Sequence, residues 1–349
     1  MPATDADNKA LTGVKTTLMY KPEYPNSGGQ FGTVSANPAD TSPRWPGYVQ
    51  SFNYTVNRDI EMTYGMGSAE GTQRADPTDQ QAGKTTYDWS LDIVPQVPNS
   101  AESPYYDFAH LWASFHGSSL VVGSATTTDV LGTGATTTDT ERHYVSFYEI
   151  NFVQEGTTLN ARTAELGGCF ASDFEVSCEV GGHVEVSLSG QALSLATGIS
   201  DNWGSTAHSS YATAVTTQGI HWTDTKVRIG GNYVPTVSRW SGKDTLGIGG
   251  PYHRITSNAT TTTNPWAMSE QKNSFEVSIT MDFDNFTQLN ALLNGTKQDV
   301  HIELGSTEHL RYGNVLWSGT PVNADMDSDE LIQMELTGSA ESVSRVQTT

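Results

Sequence analysis

The chain has 349 residues, with 39 Asp and Glu against 18 Lys and Arg and a net charge of −21. That balance excludes nucleic-acid binding through phosphates, which needs Lys and Arg, and adsorption to anionic membranes. It fits two compatible readings. One is a halophilic origin, where molar salt shortens the Debye length to roughly 3 Å; the other is a negative surface that does not hold DNA passing nearby.

Hydrophobic residues make up 36% of the chain and glycines number 33. That mixture favours short strands and many turns over a helical bundle. The length allows two domains of ordinary size, each with a modest core, so much of the stability is expected from assembly. Residues 1–46 read as an arm. Pro22, Pro25, Pro38, Pro43 and Pro46 keep this stretch out of a sheet interior, while Leu18, Met19, Tyr20, Tyr24, Phe31 and Trp45 supply apolar anchors. An alternating strand follows from Gly47 to Val56 and continues through Ile60–Tyr64 to Gly65-Met66-Gly67-Ser68. Residues 69–83 read as an exposed loop.

Lys84-Thr85-Thr86-Tyr87-Asp88-Trp89-Ser90-Leu91-Asp92-Ile93 alternates polar and apolar residues at period two, the signature of a strand with one buried face. The period then changes. Phe108, Leu111, Trp112 and Phe115 fall at i, i+3, i+4 and i+7, one helical face, with Asp107 at its start and Gly117 at its stop. Residues 118–142 form a long Gly/Thr-rich insertion, and a strand follows at Tyr144–Phe152. The first half closes with Phe174–Val180, a Gly181-Gly182 turn and His183–Gly190, a hairpin signal.

The same order then returns. After a polar joining segment at 197–224 come Asn232-Tyr233-Val234, Thr245–Gly250 and a loop at 251–271. Lys272-Asn273-Ser274-Phe275-Glu276-Val277-Ser278-Ile279-Thr280-Met281 matches the first lysine strand. Phe286, Leu289, Leu292 and Leu293 repeat the helix, which stops at Gly295. Val300–Leu304 repeats the next strand, and Leu331–Gly338 the last. Ser187–Ala192 aligns with Glu335–Ala340. Strand, short helix, strand, twice in one order, indicates an internal duplication. The expected domains are an arm at 1–46, a first β domain at 47–196, a linker at 197–224, a second β domain at 225–341 and a tail at 342–349.

Motifs for chemistry are absent. There is no His-Glu-x-x-His, no nucleophile elbow and no phosphate loop. His110 and His116 flank the first helix six apart, so they share no face and are expected at the surface or an interface. The acidic turn Asp325–Glu330 lacks the spacing of a calcium loop. Cys169 and Cys178 exclude a disulfide scaffold and a four-cysteine zinc site, and are expected unpaired in the core. The triplets beginning at Asn53, Asn258, Asn285 and Asn294 match the glycosylation pattern as chance matches in a Thr-rich chain. No catalytic residue, metal ligand, cofactor or enzymatic activity is expected. No apolar run approaches the roughly 18 residues of a membrane span. Met1–Asn8 lacks the apolar region of a signal peptide, so a soluble product made without Sec-type export is expected.

The duplicated unit resembles the tail tube proteins of tailed viruses. The likeness rests on Tyr48–Ser68, the Lys84–Ile93 strand with its helix to Gly117, and the Phe174–Ala192 hairpin, all repeated from Tyr233 to Ala340. The acidic balance and Thr/Gly-rich loops resemble proteins of haloarchaeal viruses. The resemblance implies a mainly β fold of two tandem β-sandwich or barrel units, each with one short α-helix, plus an extended N-terminal arm and long loops. Tube proteins with one unit form stacked six-membered rings, so a fused pair implies rings of three chains with pseudo-sixfold symmetry. The inner wall would be sheets joined edge to edge, and the lumen would pass viral DNA without specific binding. Other tail proteins would meet the tube ends. The place implied is the virion tail, assembled in the host cytoplasm. The arm, the loops 69–83 and 251–271, and the 118–142 insertion are candidates for ring-to-ring contact. A β-sandwich for capsid decoration or adhesion is the alternative, and a carbohydrate-active enzyme would need two carboxylates and exposed tryptophans in a groove.

Overall fold

The computed structural model describes residues 16–22, 46–63, 79–96, 111–112, 115–116, 128–131, 144–155, 158–199, 218–253, 265, 267–282, 286–305, 308–319, 322–323 and 332–347. The first half contributes strands β1 (Thr16–Pro22), β2 (Tyr48–Thr63), β3 (Asp79–Val94), β4 (Thr128–Leu131), β5 (Val145–Glu155), β6 (Thr158–Glu179), β7 (Glu185–Ala192) and β8 (Ser194–Ile199). The second contributes β9 (Thr225–Ile229), β10 (Asn232–Tyr233), β11 (Val237–Thr245), β12 (Ile248–Tyr252), β13 (Ala267–Glu270), β14 (Ser274–Asp282), β15 (Gln298–Leu304), β16 (Glu308–Gly319), β17 (Val322–Asn323), β18 (Gln333–Ala340) and β19 (Ser342–Gln347). Helix α1 spans Thr287–Leu293. Residues 111–112 and 115–116 are helical in the first half.

Each half is a sandwich of two antiparallel sheets that share one long strand. In the first, the front sheet runs β2–β3–β7–β6 and the back sheet β1–β5–β6–β8. In the second, the front sheet runs β11–β14–β18–β16, with β17 continuing β16 along β18. Its back sheet runs β9–β15–β16–β19. The fold is therefore mainly β, as the sequence implies.

The duplication holds at the level of register. Tyr87 pairs with Ala192 and Leu91 with Leu188; Phe275 pairs with Ala340 and Ile279 with Leu336. Irregularities recur at equivalent places. A bulge lies between Val49 and Ser51 against β3, and between Val237 and Arg239 against β14. A second lies between Ala171 and Asp173, and between Trp317 and Gly319. A third lies between Val145 and Phe147, and between Gln298 and Val300. Bulges are specific one-residue insertions that bend a strand, so three in matching places mark two copies of one backbone.

The bend where β6 and β16 pass from back sheet to front sheet needs a left-handed residue. Gly168 has φ 66° and its counterpart Asn314 has φ 53°; Asn tolerates this region where branched residues do not. Asn314 is also held there, since its backbone N–H donates to Asp299 at 2.9 Å and its side-chain amide to Glu341 at 2.9 Å. Beside the second bulge sit Gly190 and Gly338. A Cβ on Gly190 would strike the Phe170 carbonyl, and one on Gly338 would lie 2.9 Å from the Leu316 carbonyl.

Of the inward positions expected from the alternation, Tyr87, Trp89, Leu91 and Ile93 in β3 and Phe275, Val277, Ile279 and Met281 in β14 are buried; Phe283, expected inward with them, lies outside the described residues. Leu111, Trp112 and Phe115 are fully buried and join one core cluster with both halves. Phe115 stacks on Trp89 with ring centroids 5.8 Å apart. Truncating such a buried aromatic costs about 3–5 kcal/mol. Cys169 and Cys178 are free, buried and on the same strand. β1 lies inside the stretch read as an arm, with Leu18, Met19 and Tyr20 buried, and pairs only with β5 among the described residues. β19 lies inside the stretch read as a tail, and β8 runs into the stretch read as a linker. Asn232 and Tyr233 do not start the counterpart of β2; they turn back on β9, and β11 is that counterpart.

Candidate assembly interface

The two halves meet in a seam within the front sheet. The free edge of β6 pairs antiparallel with β11, from Arg239 opposite Glu179 to Thr245 opposite Asp173. The result is one continuous sheet of order β2–β3–β7–β6–β11–β14–β18–β16. On its open face the seam sets Arg239 opposite Glu179 and Lys243 opposite Glu175. Directly opposed residues of opposite charge attract across antiparallel strands.

Behind the sheet, the first-half helix covers the seam. His116 is fully buried, and its Nε2 lies 2.9 Å from Oδ2 of Asp244 on β11, itself buried. His116 was expected at the surface or an interface; it is in the interface between the halves. Its Nδ1 lies 2.9 Å from the Trp112 carbonyl. A carbonyl oxygen and a carboxylate both accept, so each ring nitrogen of His116 faces an acceptor. The Trp112 indole stacks on the imidazole with centroids 4.1 Å apart. The fully buried Tyr312 hydroxyl lies beside Asp244. Burial first, then the Asp244 charge, push it well above the usual phenol range. Neither Oδ1 of Asp244 nor the Tyr312 hydroxyl has a well-aligned partner. Gly242 makes room for that hydroxyl, because a Cβ there would strike it.

A flap from the second half completes the seam. The β12–β13 hairpin brings Met268 and Ile248 onto Tyr144, Phe170 and Leu193 of the first. The Tyr144 hydroxyl donates to the Met268 carbonyl at 3.2 Å.

The two ends of the front sheet are the counterparts of this seam, and among the described residues no strand pairs with their outer edges. β2 corresponds to β11, and β16–β17 to β6. Aligned through Gly117 and Gly295, Leu293 matches Phe115, and it is 73% exposed where Phe115 is 0%. Leu316 matches Phe170, at 43% against 3%; Val56 matches Asp244, at 46% against 1%. Phe286, Ile60 and Met62 are also exposed. Unpaired strands with exposed apolar residues are edges that proteins normally blunt or pair.

The open face of the front sheet is polar and acidic. Asp88, Asp92, Asp173, Glu175, Glu185, Glu276, Asp282 and Glu335 alternate there with serines and threonines. Asp92 accepts from Ser51 at 2.5 Å and from Ser187 at 2.7 Å.

Of the expected ring-to-ring contacts, residues 79–83 belong to β3, 128–131 to β4, and parts of 251–271 to β12 and β13. β4 pairs with β19, so the first-half insertion reaches the second-half back sheet. Apart from His253, Pro265 and Gln271, the rest of these loops, His110 and the acidic turn from Asp325 lie outside the described residues. Asp244 was not singled out from the sequence. Its signal is parity: Trp240, Gly242 and Asp244 are inward positions of β11, with Leu246 just past its end in the same alternation, and a carboxylate stands among them. Among the described residues no group of three or more His, Cys, Asp and Glu could hold a metal ion, and no helix is long and apolar enough to cross a membrane.

No protein-family model matches the chain, and no curated protein matches it. Among solved structures, a cryo-EM structure of the anti-feeding prophage cap, described as the AFP tube terminating cap, aligns at 18% identity. It covers 38% of this chain and 93% of that chain, with a TM-score of 0.31.

Proposed function

We propose that the chain is a structural subunit of a virion tail tube. Three chains close a ring, rings stack, and the channel delivers the genome. The observation that carries this reading is the internal seam. Two copies of one unit already sit side by side in one sheet, and the ends of that sheet are the complementary halves of the same contact. Adding further chains by the same operation extends the sheet until it closes, which removes the exposed edges. Three chains contribute eight strands each. With strands about 4.8 Å apart and tilted about 40°, the wall has a diameter of roughly 50 Å, wider than duplex DNA. The open acidic face turned inward repels phosphate and gives DNA nothing to bind. The chain acts without catalysis or cofactor. Its partners are its own copies and the proteins at the tube ends, in the tail of a particle assembled in the host cytoplasm.

The test is negative-stain imaging with light scattering of purified protein in molar salt over a range of concentrations. Rings or tubes with threefold-related chains are expected. Monomers alone at every concentration overturn the reading.

A further inference from the structure

The two seams of such an assembly have the same geometry and different chemistry. Inside the chain, β11 carries Arg239 and Lys243 against the acidic edge of β6, and Asp244 lies under His116. On β2 the counterparts of Arg239, Lys243 and Asp244 are Ser51, Thr55 and Val56, by the shared pairing to β3 and β14. At the C-cap of α1 the counterpart of His116 is Asn294. The exposed edge is continuous with the internal seam, being the two ends of one sheet in one strand order.

We propose that the open edge takes a second copy of this chain in the register of the internal seam, without the cations and the His116–Asp244 pair of that seam. The occupant follows from the template. Ser177 faces Ser241 across the internal seam. Ser177 corresponds to Asn323 through their partners on β7 and β18, and Ser241 corresponds to Asn53. Asn323 of one chain therefore faces Asn53 of the next, and Leu293 and Phe286 close over Val56. The chemical difference sorts the edges. The acidic edge of β6 selects the basic strand β11, and β2, which carries no cation at the matching positions, is left for the β16–β17 edge. A wrong pairing, β2 on β6, leaves Glu175 and Glu179 without their cations and carries no aspartate for His116. Such like-for-unlike arrangements set specificity by penalising the competitor. This inference rests on the ring reading above and adds to it which strands pair, in what register, and why the seams do not exchange.

The experiment has two arms in the full-length chain. Asn53→Cys with Asn323→Cys, treated with a short bifunctional methanethiosulfonate, should give covalent oligomers that stop at the closed ring. Asn57→Cys with Asn323→Cys, out of register, should not. The native thiols at Cys169 and Cys178 are buried. In the second arm, Val56→Asp should lower association at least about tenfold, since it buries a carboxylate at the seam. Val56 is exposed in the single chain, so that variant keeps the monomer fold, checked by circular dichroism. Val56→Asp with Asn294→His should restore association, because it copies the internal pair. If wild type never associates, this proposal and the ring reading both fall. If wild type forms rings but the out-of-register pair links instead, or Val56→Asp assembles normally, or Asn294→His brings no rescue, this proposal alone falls.

Discussion

Replacing Asp244 by alanine tests whether the ion pair under the internal seam holds the two halves in place. His116 is 0% exposed and Asp244 1%. Removing the carboxylate leaves a buried His116 ring nitrogen without its acceptor. Breaking a buried pair from one side costs about 3–5 kcal/mol. Replacing both partners with apolar residues of similar volume is often neutral or stabilising, so His116→Leu with Asp244→Val should lose no more than about 1 kcal/mol. For a large domain 1 kcal/mol corresponds to about 2 °C in Tm, so Asp244→Ala should melt roughly 6–10 °C below wild type and the double variant within about 2 °C of it. Far-ultraviolet circular dichroism of dilute monomer at pH 7 reads both. The difference should persist in molar salt, since buried pairs are screened little. If Asp244→Ala melts within 2 °C of wild type, or the double variant is as damaged as the single, the ion-pair reasoning is wrong.

Three other outcomes are expected. Gly242→Ala places a Cβ against the Tyr312 ring, 2.6 Å from Cζ, and should cost about 1–3 kcal/mol by overpacking; Tyr312→Leu, the residue at the matching position Leu166, should recover most of it in a double-mutant cycle. Burial pushes the Cys178 thiol up to about 11 and Cys169 is buried, so native protein at pH 8 should react with a maleimide far more slowly than protein in urea; fast stoichiometric labelling of the native chain would contradict the burial. His301 has a lowered pKa, first from burial and then from Arg311. The unfolded chain therefore takes up a proton as pH falls through about 6.5 while the folded chain does not, so stability should fall from pH 7 toward pH 5, and His301→Gln should flatten that fall in denaturant titrations at the two pH values.

The strands that alternate strictly were legible in the sequence because burial on one face imposes period two, as in 84–93 and 272–281. The first helix was legible from the spacing of Leu111, Trp112 and Phe115. β1 was not, because a seven-residue edge strand ending at Pro22 is defined by its partner β5, more than a hundred positions away. Matching β8 with β19 needed the pairing of each to its long strand, since Ser194–Ile199 and Ser342–Gln347 share little pattern. The candidate interface was partly legible: the duplication was visible, and edges completed by neighbours were implied by the resemblance. The β6–β11 pairing was not, because edge pairing depends on backbone position and leaves no periodic trace. The His116–Asp244 pair unites two residues 128 positions apart, each unremarkable alone.

β6 ends at Glu179 and its partner β11 at Thr245. At roughly 5–20 residues per second, the ribosome needs on the order of several seconds to supply the second strand after the first. Throughout that delay a finished β6 waits on the nascent chain with its border unmatched. Glu175 and Glu179 stand along that border, so neighbouring nascent copies on a crowded polysome repel one another there. The arrival of Arg239 and Lys243 ends the wait. The charges that distinguish one seam from the other thus also protect the protein while it is being synthesised.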